Sequence, residues 1–334
     1  MNTKGDRKKV FSGIRATGRL HIGNYYGAIK GMIALQDEYD CTFGVMDLHT
    51  LTTPYDRGSL QGQIRDVVLD MMAAGLDPKK CRLIIQSHIP EVVELSYYFA
   101  TVYQLARIED LPTFKEKKAQ YPEHITVALL YYPILMAADI LLSKAELVPV
   151  GIDQEPHLEA AREIARKFNV TYGDMFPEPQ RFATKGELVP SLTGEGKMSK
   201  TKEGSFITLA DSLDVIRERL AKAPTDSGAK GGSVPKKGGV ANLFVLLRLF
   251  SSAETVKSYT SVYEQGVIKY AELKHQLSHD IFKELEPLQK RRQYLMEHPH
   301  EVDEFLASSE TSYREDGRAT IAEVREKMGL SSHE

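Results

Sequence analysis

Phe11-Ser12-Gly13-Ile14-Arg15-Ala16-Thr17-Gly18-Arg19-Leu20-His21-Ile22-Gly23-Asn24 is the stretch that decides how this chain is read. A short apolar start, Val10 and Phe11, runs into small residues and then into the amphipathic run Tyr25 to Gln36. That order predicts strand, turn and helix, with His21-Ile22-Gly23-Asn24 opening the helix. Backbone N–H groups and the positive end of the dipole at such a point suit a phosphate. Gly23 removes a side chain where a nucleotide would come close. His21 and Asn24, three apart, can turn polar atoms toward one ligand. The same turn also occurs in α/β proteins that hold no ligand, so the stretch alone leaves both readings open.

Outward from this unit, Thr42 to Asp47 reads as a second strand, ending in Asp47-Leu48-His49-Thr50. Arg57 to Ala74 has helical periodicity and stops at Gly75; Cys81 to Gln86 is a third strand, and Pro90 starts another helix. Strands alternating with helices predict an α/β fold with a doubly wound parallel sheet. Strand ends facing a crevice are where such sheets place ligands. His49 stands at one, although a loop histidine making local hydrogen bonds fits the pattern as well.

From Thr101 to Glu123 the alternation breaks, around the basic cluster Phe114-Lys115-Glu116-Lys117-Lys118. A solvated charge run is its plain reading, a phosphate or RNA contact the second. Ile125 to Leu142 is almost wholly apolar, yet Pro133 and Asp139 interrupt it and flanking anchors are missing, which predicts a core helix rather than a membrane span. A buried carboxylate needs a donor. A core salt bridge or a capping contact would satisfy Asp139. Met136 and Tyr132 fall on the same helix face. Leu147 to Val150 is a further strand, followed by Gly151-Ile152-Asp153-Gln154 and a helix ending at Phe168. This repeats the geometry of the opening stretch.

Thr171 to Ser205 is rich in Pro, Gly and charge and holds Lys197-Met198-Ser199-Lys200-Thr201 between glycines, which reads as a mobile basic surface loop. Beyond Leu213 strand signals vanish. Asn242–Phe250, Thr255–Tyr263, Ile268–Glu297 and Val302–Ser308 read as helices, with the Gly/Lys-rich Thr225 to Gly239 as a flexible interruption. Lys290, Arg291 and Arg292 form a candidate basic patch or a solvated helix face. The 334 residues suggest two domains. A net charge of −3 means that any RNA contact must use local patches rather than the field of the whole protein. Cys41 and Cys81 make no disulfide framework or metal pattern and read as buried, inert thiols in a reducing compartment. The charged N-terminus has no apolar run after it, unlike a secretory signal.

The segments GIRATGRLHIGNYYGAI, DLHTLT, FKEK, YPILMAADILL, VPVGIDQEPHLEAAREIA, GKMSKT and TDSG, in this order, span nearly the whole chain. Together they resemble the bacterial-type tryptophanyl-tRNA synthetases of the class I aminoacyl-tRNA synthetase family. The resemblance implies a Rossmann-like catalytic domain over 1–205, with an insertion at about 101–142 forming a dimer interface and the lysine-motif loop at 194–204. It further implies a helical anticodon-binding domain over 206–334, its last helices packing back on the first domain. The implied reaction joins L-tryptophan to ATP as an adenylate and passes the acyl group to tRNA(Trp).

By the same resemblance, Lys197, Lys200, His21 and Asn24 are catalytic. ATP falls to Arg15, Ala16, Thr17, Gly23, Asn24, Gly151, Ile152, Asp153, Val189, Lys197, Met198, Ser199, Lys200 and Thr201. The amino acid falls to Asp139 at the indole, Met136 on the ring, Tyr132 and Gln154 at the ammonium group, and His49. Mg²⁺ would arrive with ATP, without a fixed protein site, in a cytoplasmic homodimer that no membrane holds. Two residues depart from the pattern: Arg15 stands where glutamine is frequent, and Thr201 where serine is usual. The alternatives are a tyrosyl-tRNA synthetase, a small-molecule adenylyltransferase and a non-charging RNA-binding or regulatory paralogue.

Overall fold

The structure is a computed structural model that describes residues 7–183, 188–200, 202–226 and 232–330. Five parallel strands form one sheet: β1 (Lys9–Arg15), β2 (Asp40–Met46), β3 (Cys81–Ile85), β4 (Leu147–Pro149) and β5 (Gln180–Phe182), in the order β3-β2-β1-β4-β5. The chain winds outward from β1 through β2 to β3, then returns to β4 on the other side. Strand order therefore reverses between β1 and β4, which opens a crevice at their carboxyl ends. β2 is buried along nearly its whole length, as parallel strands covered on both faces must be. Its Cys41 and the neighbouring Cys81 are free, buried thiols, pushed up to about 12 by burial.

Most elements lie where the periodicity predicts them: Leu60–Ala74, Pro90–Ala100, Val127–Leu142 and Glu155–Tyr172 are helices. Thr126 caps Val127–Leu142 by accepting from the Leu129 N–H at 3.3 Å, and Pro133 sits inside that helix. The stretch after Thr101 contains two short helices, Leu105–Glu109 and Pro112–Gln120. β5 has only three residues, too short for a pattern, and lies inside the Pro-, Gly- and charge-rich stretch after Thr171. The helix expected at Val302–Ser308 runs instead from Pro299 to Lys327. Its buried face carries Ser309, Gly317 and Thr320 between Phe305, Tyr313 and Val324, so small and polar residues break the apolar stripe that would reveal it. At Gly317 a side chain would lie 3.1 Å from Leu142 Cδ2, which explains why the smallest residue stands there.

Two compact units result, and their limits differ from 1–205 and 206–334. One comprises residues 1–18, 31–184 and 298–334; the other comprises 19–30 and 185–297. The first holds the sheet, its helices and the last helix, around a core that includes Phe99, Phe168, Leu141 and Tyr313. The second is built on the helices Leu213–Ala221, Gly239–Phe250, Ala253–Glu264 and Tyr270–Glu297, with Leu243, Phe244, Leu247, Leu277 and Ile281 buried. His21–Asn24 therefore belongs to the same unit as the lysine motif. Among the described residues no helix is long and apolar enough to cross a membrane.

Candidate active site

In the sheet unit, the carboxyl ends of β1 and β4 and the face of Val127–Leu142 enclose a cavity of about 360 Å³. Tyr132, Met136 and Asp139, spaced along one helix face, all line it, together with Gln154 and His49. The sequence reading named these five as one group, and the fold brings them together. Gly13, Met46, His157 and Arg15 line it as well.

Asp139 is only 2% exposed. Its carboxylate accepts from Gln86 Nε2 at 2.8 and 2.9 Å and from His49 Nε2 at 2.8 Å. Burial pushes this carboxyl group up from its ordinary pKa, and the hydrogen bonds from His49 and Gln86 pull the other way. Gln86 Oε1 in turn accepts from the Leu48 N–H at 3.1 Å, tying the end of β3 to the turn after β2. That turn is held by Asp47, which accepts from the N–H groups of Leu48 (3.0 Å) and Ser87 (2.9 Å). Gln86 escaped the sequence reading as a site residue. Its signal was a polar side chain ending an apolar strand at the crevice side of the sheet.

A second polar pair lies beside the first. Tyr132 Oη and His157 Nε2 are 2.6 Å apart, and the Tyr132 ring meets the His49 ring edge-on at 6.2 Å. His157 is buried, and burial lowers its pKa to about 4, so the imidazole is neutral near pH 7. Its Nδ1 is buried and has no hydrogen-bond partner among the described residues. Arg15, which the resemblance assigns to ATP, also lines this cavity. Its Nη2 donates to Thr53 Oγ1 at 3.0 Å, its Nε is buried with no hydrogen-bond partner among the described residues, and burial lowers its pKa.

The remaining residues named for ATP divide between the units. In the sheet unit, Ala16 is buried, and the Thr17 N–H donates to the Arg15 carbonyl at 2.9 Å. Gly151 caps the short turn Ile152–Gln154, whose Ile152 is exposed. A side chain on Gly151 would lie 2.4 Å from Asp153 Oδ1. Gln154 Nε2 donates to Asp153 Oδ2 at 3.2 Å.

In the helical unit, His21 and Asn24 cap their own turn reciprocally: the Asn24 N–H donates to His21 Nδ1 (3.2 Å) and the His21 N–H to Asn24 Oδ1 (3.1 Å). The imidazole lies over Gly23, where a side chain would come within 2.8 Å of it. Gly23 is thus needed by its neighbour, whatever else approaches. Burial, and after it the charge of Lys200, lower the His21 pKa to about 4. The helix then passes through a π-helical segment, Tyr25–Ile29, that the periodicity did not reveal.

The lysine motif, expected as a mobile loop, is the second arm of a hairpin. Pro190 bridges to Lys197, the Met198 N–H donates to the Val189 carbonyl at 3.3 Å, and both Met198 and Val189 are buried. Gly194 and Gly196 turn between the arms at φ of 93° and 72°. Ser199 is tied down by Ser205, whose Oγ accepts from the Ser199 N–H and donates to its carbonyl. Thr201 lies outside the described residues, as do the last two residues of TDSG.

The basic clusters are less concerted than their sequences suggest. Phe114 is buried and Lys115 pairs with Asp110 at 3.2 Å. Lys290 pairs with Glu286, Arg291 lies over the Tyr294 ring, and Arg292 is buried, with Nη1 3.0 Å from Met296 Sδ. Those three side chains are therefore not one exposed patch.

A doubly wound sheet with a carboxylate-ended apolar cavity at its switch point, and a separate unit pairing a histidine cap with a lysine hairpin, defines a class. The chain belongs to the class I tRNA synthetases (W and Y), whose family model matches residues 3–286. Within that class it is similar to enzymes that act on tryptophan. It is 39% identical over 324 residues to the tryptophan–tRNA ligase of Porphyromonas gingivalis, covering 96% of this chain and 99% of that one. It is 38% identical over 327 residues to the tryptophan–tRNA ligase of Deinococcus radiodurans, covering 96% and 98%. Among solved structures, the tryptophanyl-tRNA synthetase of Campylobacter jejuni complexed with ADP and tryptophan is 29% identical with a TM-score of 0.86, over 96% of this chain and 100% of that one.

Proposed function

We propose that this chain activates L-tryptophan with ATP and charges tRNA(Trp). The observation that carries the reading is the buried Asp139 carboxylate, fixed by Gln86 and His49 at the wall of an apolar cavity. A carboxylate has about four lone-pair positions, of which these bonds use three, and an indole N–H is a donor seeking one. Phenylalanine brings no donor, so a site built around this bond rejects it by more than about a thousandfold. Met136 packs on the ring, while Tyr132 and Gln154 take the ammonium group.

The chemistry follows from what the residues supply. An oxygen of the tryptophan carboxylate attacks the α-phosphorus of ATP, the bond to the bridging oxygen of the β-phosphate breaks, and pyrophosphate leaves. In-line displacement of this kind needs positioning and charge stabilisation more than covalent help. Lys197 and Lys200 meet the charge on the leaving phosphates, with Mg²⁺ carried on the phosphate oxygens. Arg15, Ala16, Thr17, His21, Gly23, Asn24, Gly151, Ile152, Asp153, Val189, Met198, Ser199 and Thr201 complete the nucleotide contacts. A hydroxyl of the tRNA 3′ end then attacks the acyl carbon and AMP departs. The helices beyond residue 206 read the anticodon, the 101–142 region joins two copies of the chain, and the enzyme works in the cytoplasm.

ATP–pyrophosphate exchange with tryptophan, tyrosine and phenylalanine run separately tests the reading. Exchange with tryptophan alone is expected. Asp139→Ala should lower kcat/KM for tryptophan at least about a hundredfold while the KM for ATP stays within about threefold. Exchange with tyrosine instead would keep the mechanism and overturn the role of Asp139; exchange with none, in folded protein, would end the proposal.

A further inference from the structure

Beneath Met46, which lines the cavity, is a piece of sheet from which two side chains are missing. Gly13 of β1 and Gly44 of β2 are register partners on adjacent strands. Alternate residues of a strand share a face, so Gly44 and Met46 lie on one side of β2, and Phe11, Gly13 and Arg15 on one side of β1. A Cβ on Gly13 would lie 2.6 Å from Met46 Cγ, and a Cβ on Gly44 would lie 2.0 Å from Met46 Cε. The thioether therefore runs back along its own strand and across both glycines. Met46 is buried, and it lines the cavity beside Met136 and Asp139.

Neither glycine is demanded by its backbone, since neither has a positive φ. Glycine inside a strand is otherwise a weakening choice and marks a close approach. Here the approach is made by a methionine. Ile84 Cγ1 lies 3.4 Å from the position a Gly44 Cβ would take, so β3 closes the slot on its far side. Met46 already lines the cavity, so a side chain lifted from the slot has that space beside it.

We propose that Met46, seated in the slot made by Gly13 and Gly44, sets the depth of the amino-acid cavity and thereby the size of aromatic ring it admits. The inference rests on the reading of this cavity as the tryptophan pocket. Plain indole fills the space that the seated methionine leaves. Shortening Met46 opens the floor to tryptophans carrying a methyl or bromo group on the benzene ring. Filling the slot instead lifts the methionine and closes the pocket to tryptophan itself.

Exchange assays on the full chain, with tryptophan and with 5-, 6- and 7-bromotryptophan, separate these cases. In Met46→Ala the kcat/KM of at least one bromotryptophan relative to tryptophan rises about tenfold or more, the scale of a methylene or two in an apolar pocket. In Gly44→Ala the KM for tryptophan rises about tenfold or more. The double variant Gly44→Ala/Met46→Ala returns it to within about threefold of Met46→Ala, because the side chain to be evicted is gone. Thermal unfolding accompanies each variant; if Gly44→Ala does not fold, the substrate ratio in Met46→Ala and Met46→Val decides alone. An unchanged ratio in folded Met46→Ala, or a Gly44→Ala defect that persists in the double variant, overturns the role of Met46. No exchange with tryptophan in the unaltered protein would instead overturn the pocket reading beneath it.

Discussion

A carboxylate buried as deeply as Asp139 is costly to keep charged, and Gln86 supplies two of its three hydrogen bonds. Gln86→Leu keeps the volume and removes the donor, leaving a buried oxygen unsatisfied at about 1–3 kcal/mol. The expected result is a tenfold to hundredfold fall, roughly, in kcat/KM for tryptophan, with the KM for ATP within about twofold. Steady-state exchange kinetics check this; an equal loss for both substrates would remove Gln86 from the amino-acid site. Sequence spacing could reveal Tyr132, Met136 and Asp139 because they share one helix. It could not reveal Gln86 or His157, whose pairing with those residues is made by chain separated by other elements. Arg15 lines the same cavity, on the face of β1 that Phe11 and Gly13 share, a placement set by strand alternation rather than by the spelling of the motif. His157 carries a pH consequence. Its pKa is about 4 in the folded chain against 6.5 unfolded, so the native state resists taking up a proton that the unfolded chain accepts. Its contribution is complete above pH 6.5 and is lost as the pH falls through about 4, amounting to about 3 kcal/mol. Urea midpoints measured between pH 7 and pH 4.5 should fall more steeply in the parent chain than in His157→Gln; parallel curves would contradict it.

Among the elements, Pro299–Lys327 does the most that its sequence conceals. It packs along β3, Pro90–Ala100 and Val127–Leu142. Its Tyr313 hydroxyl donates to the Asp139 carbonyl at 3.2 Å, and Thr320 Oγ1 to the Leu142 carbonyl at 2.8 Å. Arg314 and Arg318 both reach the buried Glu91. The strands and central helices were legible because apolar residues recur at one period over long runs. This helix was legible only at its start, because close packing selected Ser309, Gly317 and Thr320 where a stripe of leucines would have announced it. Tyr313 is among the largest fully buried side chains. Tyr313→Ala is therefore expected to destabilise the sheet unit by about 3–5 kcal/mol. Tyr313→Phe, which loses one hydrogen bond, should cost about 1 kcal/mol. Because the ring also backs the pocket helix, the alanine variant should raise the KM for tryptophan. Denaturation curves and exchange kinetics together test it, and a stable Tyr313→Ala with native KM would show that the helix does not brace the pocket.

The sheet unit leaves several apolar side chains exposed on neighbouring helices. Tyr97 is 68% exposed and Val93 is exposed one turn before it on Pro90–Ala100, while Val127 is 79% exposed at the start of Val127–Leu142. These two helices are joined by the Tyr131 hydroxyl, 3.1 Å from Ser96 Oγ. Val127 lies in the 101–142 region that the resemblance assigned to pairing two copies, Pro90–Ala100 packs against its helix, and the proposed homodimer covers both. A two-fold interface repeats each contact, so a single substitution acts twice. A stable pair buries about 1,200–2,000 Å², and a buried unpaired charge at its apolar centre is not tolerated. Tyr97→Asp and Val127→Glu, both at sites that water already reaches in a single chain, should leave the fold and its unfolding temperature nearly unchanged. Sedimentation equilibrium at about 10 μM should give the mass of two chains for the parent and of one chain for each variant. A parent that sediments as one chain would end the homodimer proposal. Variants that remain paired would move the interface off this face, and the exposed tyrosine and valines would then have to be explained by something other than a second copy.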